Sequence, residues 1–600
     1  MERCFFVRFV WAVVAFVLAT VMIGAGIAQR TILRGPESVT ESVTVAADAP
    51  FTLIDGSVLT SRPGAQSLSV QGSGTVFAAY GRTSDVTAWL ARTDYTRLGV
   101  DEEGAITTTE VAAASAPSPS ADGTVPAMPS PVGSDLWLEE FQRDDALTTS
   151  LQLPEDMSVL IASDGTAAAP ADIQVTWPIE SNTPWAGPLI VGGGILLAFG
   201  IVMYALGWRH LRRSRGPRRK GLPMTATQPI DLTVEDEAKG VISSTPPRRR
   251  LTRGRQALLA LPLVSVVALS GCSADAWPQL APSPTPSPTA TVVADPDQAP
   301  PAVTQQQAER ILTRIAEDVS TADASADAAL AATRLAGPAL AERETNYTLR
   351  SKIADRAPLP PVPAEPLEIL LPETFDKWPR TFLAVVDGGE GASDTIMTVS
   401  QQDPWSNYKL GYIAELATDS FPELAPAYLG AAQVAPDSPF LVLPPKDLAA
   451  AYADLLTNGD ASPYARLFEA EGDAFRSGVA SNREQIVNDF NQTGAETGTV
   501  SFTTQAGTQA PIALQTLESG AVVAVTITED HTFTPSNPDA VINVPDTNPV
   551  ASALTGVSQS STGFTTTYAD QLFFFVPGAG SSEPIQFLGY RSNVLSAKVV

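Results

Sequence analysis

Cysteine and histidine are almost absent. The 600 residues hold two cysteines, Cys4 and Cys272, and two histidines, His210 and His531. So few thiols exclude a disulfide framework, Cys-based zinc sites and CxxC redox pairs. So few imidazoles remove most candidates for catalytic triads and His-rich metal sites. The chain also lacks a Walker loop, GxGxxG, HExxH, GxSxG and an EF-hand loop. Positive charge is scarce too. The 38 Lys/Arg face 65 Asp/Glu, a formal net charge of −27, which argues against a nucleic-acid partner. On these grounds no catalytic, cofactor-binding or metal-ligating residue is assigned, no cofactor is expected, and the chain reads as a non-enzyme.

The scarce positive charge is concentrated. Residues 209–255 hold 13 of the Lys/Arg and only four Asp/Glu. A basic loop between two apolar stretches is what the positive-inside rule keeps in the cytoplasm.

Residues 1–29 form a membrane anchor or a signal. The uncharged run Phe9–Ala28 is 20 residues, enough to cross a bilayer as a helix. Alternatively, a signal peptide is cut after Gly26-Ile27-Ala28. Residues 30–186 read as an extracytoplasmic β-rich domain. Short runs such as Phe51–Ile54, Thr75–Ala78 and Val86–Leu90 read as strands, punctuated by Gly56, Gly72, Gly74 and Gly81. A small β-sandwich is expected, with α+β as the alternative. Ala113–Val132 reads as an exposed Ala/Ser/Pro insertion. Residues 187–208 form the clearest membrane helix, uncharged from Pro188 to Trp208. Its glycines 193, 200 and 207 share one face, where another helix could pack closely.

After the basic linker, 209–256, comes a second export-like signal at 257–275. Arg248–Arg255 is basic, Ala257–Gly271 is apolar and interrupted by Pro262, and Leu269-Ser270-Gly271-Cys272 follows. These four positions match the lipobox of bacterial lipoproteins. The resemblance implies that Cys272 accepts a lipid and that a peptidase cuts before it. The alternative is an uncleaved third membrane helix. Either way residues 30–186 and 273–600 are extracytoplasmic, 209–256 are cytoplasmic, and the chain is multi-pass. Residues 276–302 read as a stiff Pro/Ser/Thr spacer.

The last part reads as two α+β units, 303–440 and 441–600, each with helices first and an antiparallel sheet after. Thr304 and Gln307 have capping-box spacing, and Ala308, Ile311, Leu312, Ile315 and Val319 follow at helical period. By element order the units are similar to tandem cystatin-like or NTF2-like domains. The whole chain resembles a group of actinobacterial envelope membrane proteins with no assigned activity. The resemblance runs through Asp55-Gly56-Ser57-Val58-Leu59, Val76–Gly81, the lipobox and the repeated half.

The remaining candidates for chemistry are sparse. Ser406 and Lys409 make an SxxK without its companion motifs, and Lys409 falls in a strand. Glu529-Asp530-His531 reads as a solvated cluster where a strand ends, though a lone histidine beside carboxylates is a possible base. Asp318, Asp323 and Asp327 read as a polar helix edge and turn. Three functions stay open. The first is a non-catalytic envelope protein binding protein or cell-wall partners and the lipid bilayer. The second is a carrier of lipid or glycan, with Phe573, Phe574, Phe575 and Phe587 lining a cavity. The third is a carboxylate-based hydrolase. An enclosed apolar pocket favours the second, facing carboxylates in a cleft the third, and filled units with an apolar patch the first.

Overall fold

The computed structural model describes residues 3–33, 36, 38–45, 49–114, 128–179, 185–213, 299–418 and 421–600. The lipobox with Cys272, the basic linker beyond residue 213, the apolar run 257–271, the spacer up to residue 298 and residues 115–127 of the insertion lie outside the described residues. Helix α1 (Arg3–Thr31) opens the chain.

The N-terminal region is mostly β. Its elements are β1 (Ser38–Thr44), β2 (Phe51–Ile54), α2 (Gly56–Thr60), β3 (Gln66–Arg82), α3 (Thr83–Leu90), β4 (Tyr95–Val100), β5 (Ile106–Val111), β6 (Glu139–Leu151), β7 (Met157–Ala162) and β8 (Asp172–Pro178). They form one sheet in the order β1-β8-β3-β7-β2-β4-β5, with β6 also on β3. The expected sandwich is therefore corrected to a single sheet. Its apolar face is covered by α3 and by Leu136-Trp137, which pack on Phe51, Phe77 and Leu160, so no second sheet is needed. Val86–Leu90, expected as a strand, is helical. Asp85, Val86, Trp89 and Leu90 are buried, the i, i+1, i+4, i+5 spacing of one helix face. The Asp55–Leu59 motif is structural. A Cβ on Gly56 would stand 2.2 Å from the carbonyl oxygen of Glu155, Val58 and Leu59 are buried, and Asp55 pairs with Arg97 at 2.7 Å.

Helix α4 (Ala186–Arg213) follows. Two segments, Phe9–Thr31 and Ala186–Arg209, are long and apolar enough to cross a membrane. The two helices pack together, and the glycines spaced seven apart make the contact. A Cβ on Gly193 would meet Ile23 at 2.6 Å and the carbonyl of Ala19 at 3.0 Å; one on Gly200 would meet the Phe16 ring at 3.1 Å. A Cβ on Gly194 would meet nothing within 4 Å. Gly193→Leu is expected to destabilise the detergent-solubilised chain by about 1–3 kcal/mol through overpacking, with Gly194→Leu close to neutral. Comparing the two variants' thermal unfolding checks this.

The C-terminal region is α+β. Helices α5 (Gln305–Ser325), α6 (Ala328–Arg334) and α7 (Gly337–Lys352) precede β9 (Leu367–Pro372), β10 (Arg380–Val386), β11 (Thr395–Gln401) and β12 (Lys409–Leu416). Helices α8 (Pro445–Asn458) and α9 (Ala474–Asn491) then precede β13 (Gly498–Ala506), β14 (Ile512–Gln515) and β15 (Ala521–Pro535). A small insert of β16 (Ile542–Asn543), α10 (Val550–Thr555) and β17 (Gln559–Ser560) leads to β18 (Phe564–Val576) and β19 (Gln586–Val599). The capping box is present: the Thr304 hydroxyl accepts from the Gln307 N–H and the Gln307 side chain accepts from the Thr304 N–H. The periodic Ala308, Ile311, Leu312, Ile315 and Val319 are all buried. The repeat is visible in detail. Leu335, just past α6, bridges in parallel to Leu410 at the start of β12, and Phe468 bridges in the same way to Ile585 just before β19.

The two repeats do not keep a sheet each. Their last strands pair, Glu415 with Tyr590 and Leu416 with Gly589, which removes two exposed edges. Residues 431–434 then join β9 to β14. Ala431 donates to the Pro372 carbonyl and accepts from the Thr374 N–H, both at 2.8 Å, while Val434 donates to Ala513 at 2.9 Å. The strand path closes on itself, and Leu371, Leu383, Val385, Tyr412, Phe573 and Leu588 fill its interior. Glu342 on α7 locks the repeats together by accepting from Gln571, Arg591 and Asn593 of β18 and β19.

The helix pair is one compact unit; the N-terminal sheet and the C-terminal region form another. Within the latter, the polar side of α5 grips residues 133–140. Gln307 donates to the carbonyls of Asp135 and Leu136, Arg310 to those of Trp137 and Leu138, and Arg314 to that of Gly133. The Asp135 side chain is fully buried and receives Arg334 at 2.5 Å, the Tyr408 N–H at 2.9 Å and Arg314 at 3.3 Å. Buried Asp85 pairs with buried Arg380 at 2.6 Å. The Trp405 indole donates to the Trp89 carbonyl at 2.8 Å, under an Arg92 guanidinium 3.4 Å from its ring centre.

Candidate functional site

Glu529 and His531 lie two apart in β15 and point to the face that α9 covers. Their strand runs on to Pro535, so they do not end it, and both are buried. The expectation of a solvated cluster at a turn is thereby corrected. His531 Nε2 lies 2.7 Å from Glu529 Oε1, which also accepts from Arg483 Nε at 3.0 Å. Arg483 ties α9 down further, donating to the Leu456 carbonyl and the Thr504 hydroxyl. Burial raises the Glu529 carboxyl, but the hydrogen bonds from His531 and Arg483 outweigh it and leave it below the ordinary value. Phe502 and Tyr568 pack on the imidazole, with ring centres 4.9 and 4.7 Å away. Neighbouring Asp570 is pushed up to about 7 by burial, and its Oδ2 has no hydrogen-bond partner. These groups are walled in by rings and a helix, which suits them to holding α9 on the sheet.

The other candidates are structural as well. Ser406 donates to Asp403 at 2.9 Å, whereas Lys409 donates to the Ala332 carbonyl at 2.6 Å, so the SxxK makes no Ser–Lys pair. Asp318 pairs with Arg334, Asp323 takes Arg343 and the Tyr347 hydroxyl, and Asp327 caps α6. Asp318 and Asp323 tie α5 to α6 and α7, while exposed Asp327 caps α6 at the turn between α5 and α6. Phe573 and Phe574 are fully buried on opposite faces of β18, and Phe587 joins the ring cluster of Tyr452, Phe475 and Phe574. Three of the four rings expected to line a cavity are core; the fourth, half-buried Phe575, lines a surface groove.

What opens to solvent is a groove whose Ile369, Phe421, Leu424 and Ala425 pack on the interior cluster of the closed sheet. It has a volume of about 430 Å³ and is lined by Leu367, Ile369, Phe421, Leu424, Ala425 and Ala427. A second groove of about 350 Å³ shares Phe421 and Pro422 and is lined by Glu423, Glu469, Glu518 and Glu583. An apolar trough thus runs into an acidic one along residues 421–427. Among the described residues no group of three or more His, Cys, Asp or Glu is placed to hold a metal ion. The segment 421–427 carries no residue pattern that marks it in advance; the short apolar spacing Phe421, Leu424, Ala425 is its only signal.

Residues 299–599 match the family described as Domain of unknown function (DUF8094). No curated protein and no solved structure matches the chain.

Proposed function

We propose that this chain, which belongs to the DUF8094 family through half its length, is a membrane-anchored, non-catalytic cell-envelope protein whose exported parts bind protein or cell-wall partners. The observation that carries this is the filled interior of the closed sheet beside an open apolar trough. A carrier needs an enclosed cavity, and the interior is filled; the acidic groove with Glu423, Glu469, Glu518 and Glu583 keeps a carboxylate hydrolase as the second reading. The trough instead offers surface for a partner.

Helices α1 and α4 flank the N-terminal sheet in the chain, and both are long enough to cross the bilayer. With both crossing, residue 213 lies on the side opposite that sheet. The sheet nonetheless shares buried ion pairs with residues 310–380, and two parts in such contact occupy one compartment. These ion pairs support a reading in which the chain returns through the membrane between 214 and 298. The apolar run there is Ala257–Gly271. Retained as a third helix or replaced by lipid on Cys272, it leaves 273–600 outside and the basic linker inside, as the arginine cluster requires. In this reading, similarity to actinobacterial envelope proteins and the cystatin-like or NTF2-like element order concern placement and architecture, not activity.

A photo-reactive amino acid at Phe421 of the full chain tests the binding role in cells. A discrete protein or wall-polymer adduct is expected, with none from the same probe at Thr108. A lipid or glycan that stays bound in equal molar amount after detergent extraction would make the chain a carrier instead.

A further inference from the structure

We propose that residues 49–175 and 299–600 are binding partners in their own right, held by their interface and not by the chain that joins them. The proposal rests on the reading that both lie on one side of the membrane. The joined pairs are far apart in sequence: Asp135 meets Arg334, and Asp85 meets Arg380. All the contacts above are made between these two parts alone.

The interface has the build of a specific protein–protein contact. Its centre is desolvated, with Asp85, Asp135, Arg334 and Arg380 all buried. Trp378 and Trp405 of the C-terminal region pack against the N-terminal core around Trp89 and Trp137. Arginine and tryptophan at the centre of a water-free patch are the usual energetic anchors of such contacts. Charge supports the pairing. The N-terminal part contributes the carboxylates Asp85, Asp135 and Glu140, and the C-terminal part answers each with an arginine. In the joined chain each buried carboxylate is matched by an arginine of the other part, so removing one side leaves the other's buried charge unpaired. Cutting the connector anywhere in 214–298 then leaves a two-chain complex in which the anchored fragment retains its partner.

The test uses the full chain with a specific protease site inserted after Thr233 and an affinity tag at the N-terminus. The protein is extracted in detergent, so that a shared membrane does not hold the fragments together, and is cut to completion. Essentially all of the C-terminal fragment is expected to stay with the tagged one. The combined Asp85→Ala and Asp135→Ala variant is expected to retain at least about tenfold less after cutting. Arg314→Gln, at the rim, gives a milder loss should the double variant not fold. Wild-type fragments that separate on cutting, or that lose their resistance to trypsin, overturn the proposal. The Phe421 adduct on the uncut chain reads the binding role separately, so the two can fail independently.

Discussion

Asp135→Ala is expected to destabilise the chain by about 3–5 kcal/mol, because it leaves buried arginine charge without its counter-ion. Asp135 is fully buried, and its carboxylate receives Arg334, Arg314 and the Tyr408 N–H. Alanine removes all three acceptors at once. Arg334 keeps only Asp318, whose side chain is 44% exposed and therefore well screened. Arg314 keeps Glu140 and the Gly133 carbonyl, and its side chain reaches solvent. The Tyr408 N–H is left buried and unpaired, a penalty of about 1–3 kcal/mol by itself. Asp135→Asn keeps an acceptor for that N–H but loses the charge, so its cost is expected to fall between wild type and alanine. Urea unfolding of the detergent-solubilised chain reads the difference. A single transition that splits into two in Asp135→Ala shows that the N-terminal sheet has come away from its partner. A loss below about 1 kcal/mol would mean that the carboxylate is not holding these parts together.

The second large effect depends on pH. Asp570 is 1% exposed, and burial pushes its carboxyl up to about 7; the hydrogen bond from Ser592 opposes this, nearby Glu529 adds to it, and Arg483 opposes it. In the unfolded chain an aspartate titrates near about 3.9. The folded state therefore holds a proton that the unfolded state has released across the window from about 4 to 7. Stability from this group is full below that window and falls as pH rises through it. Above it the charged, partner-poor carboxylate costs on the order of 4 kcal/mol, since each tenfold gain in proton affinity on folding is worth about 1.4 kcal/mol. Asparagine mimics the protonated acid. Asp570→Asn is expected to be near neutral at about pH 4, ahead by about 1.4 kcal/mol at pH 5 and more stable than wild type by a few kcal/mol at pH 8. Thermal melts at several pH values check this, and a difference that does not change between pH 5 and 8 would contradict it.

Local structure is the most legible from the sequence. The stripe on α5 and its capping box are read directly, because propensity, capping and burial agree there. The strands Thr395–Val399 and Met157–Ala162 follow from composition in the same way. Val86–Leu90 reads as a strand yet folds as a helix, because five mostly apolar residues suit a strand or a buried helix turn equally. Glu529–His531 reads as a strand end because the apolar run stops at Thr528, whereas β15 continues as polar residues paired on both sides. Long-range features leave no local trace. Gln307, Arg310 and Arg314 sit at helical spacing, which reads as a solvated face; only the fold puts the loop 133–140 against it. Closure of the sheet through 431–434 depends on main-chain hydrogen bonds, which no side-chain pattern encodes.

The proposed role depends on the N-terminal sheet and the C-terminal region being one body on one side of the membrane. Single cysteines at Glu103, Glu471 and Thr225, each in a background with Cys4→Ser and Cys272→Ala, test this with a membrane-impermeant maleimide on intact spheroplasts. Positions 103 and 471 are expected to react at once, and 225 only after lysis. Labelling at 103 with protection of 471 until lysis would contradict it, since the parts that share Asp135 and Arg334 would then lie across a bilayer from each other.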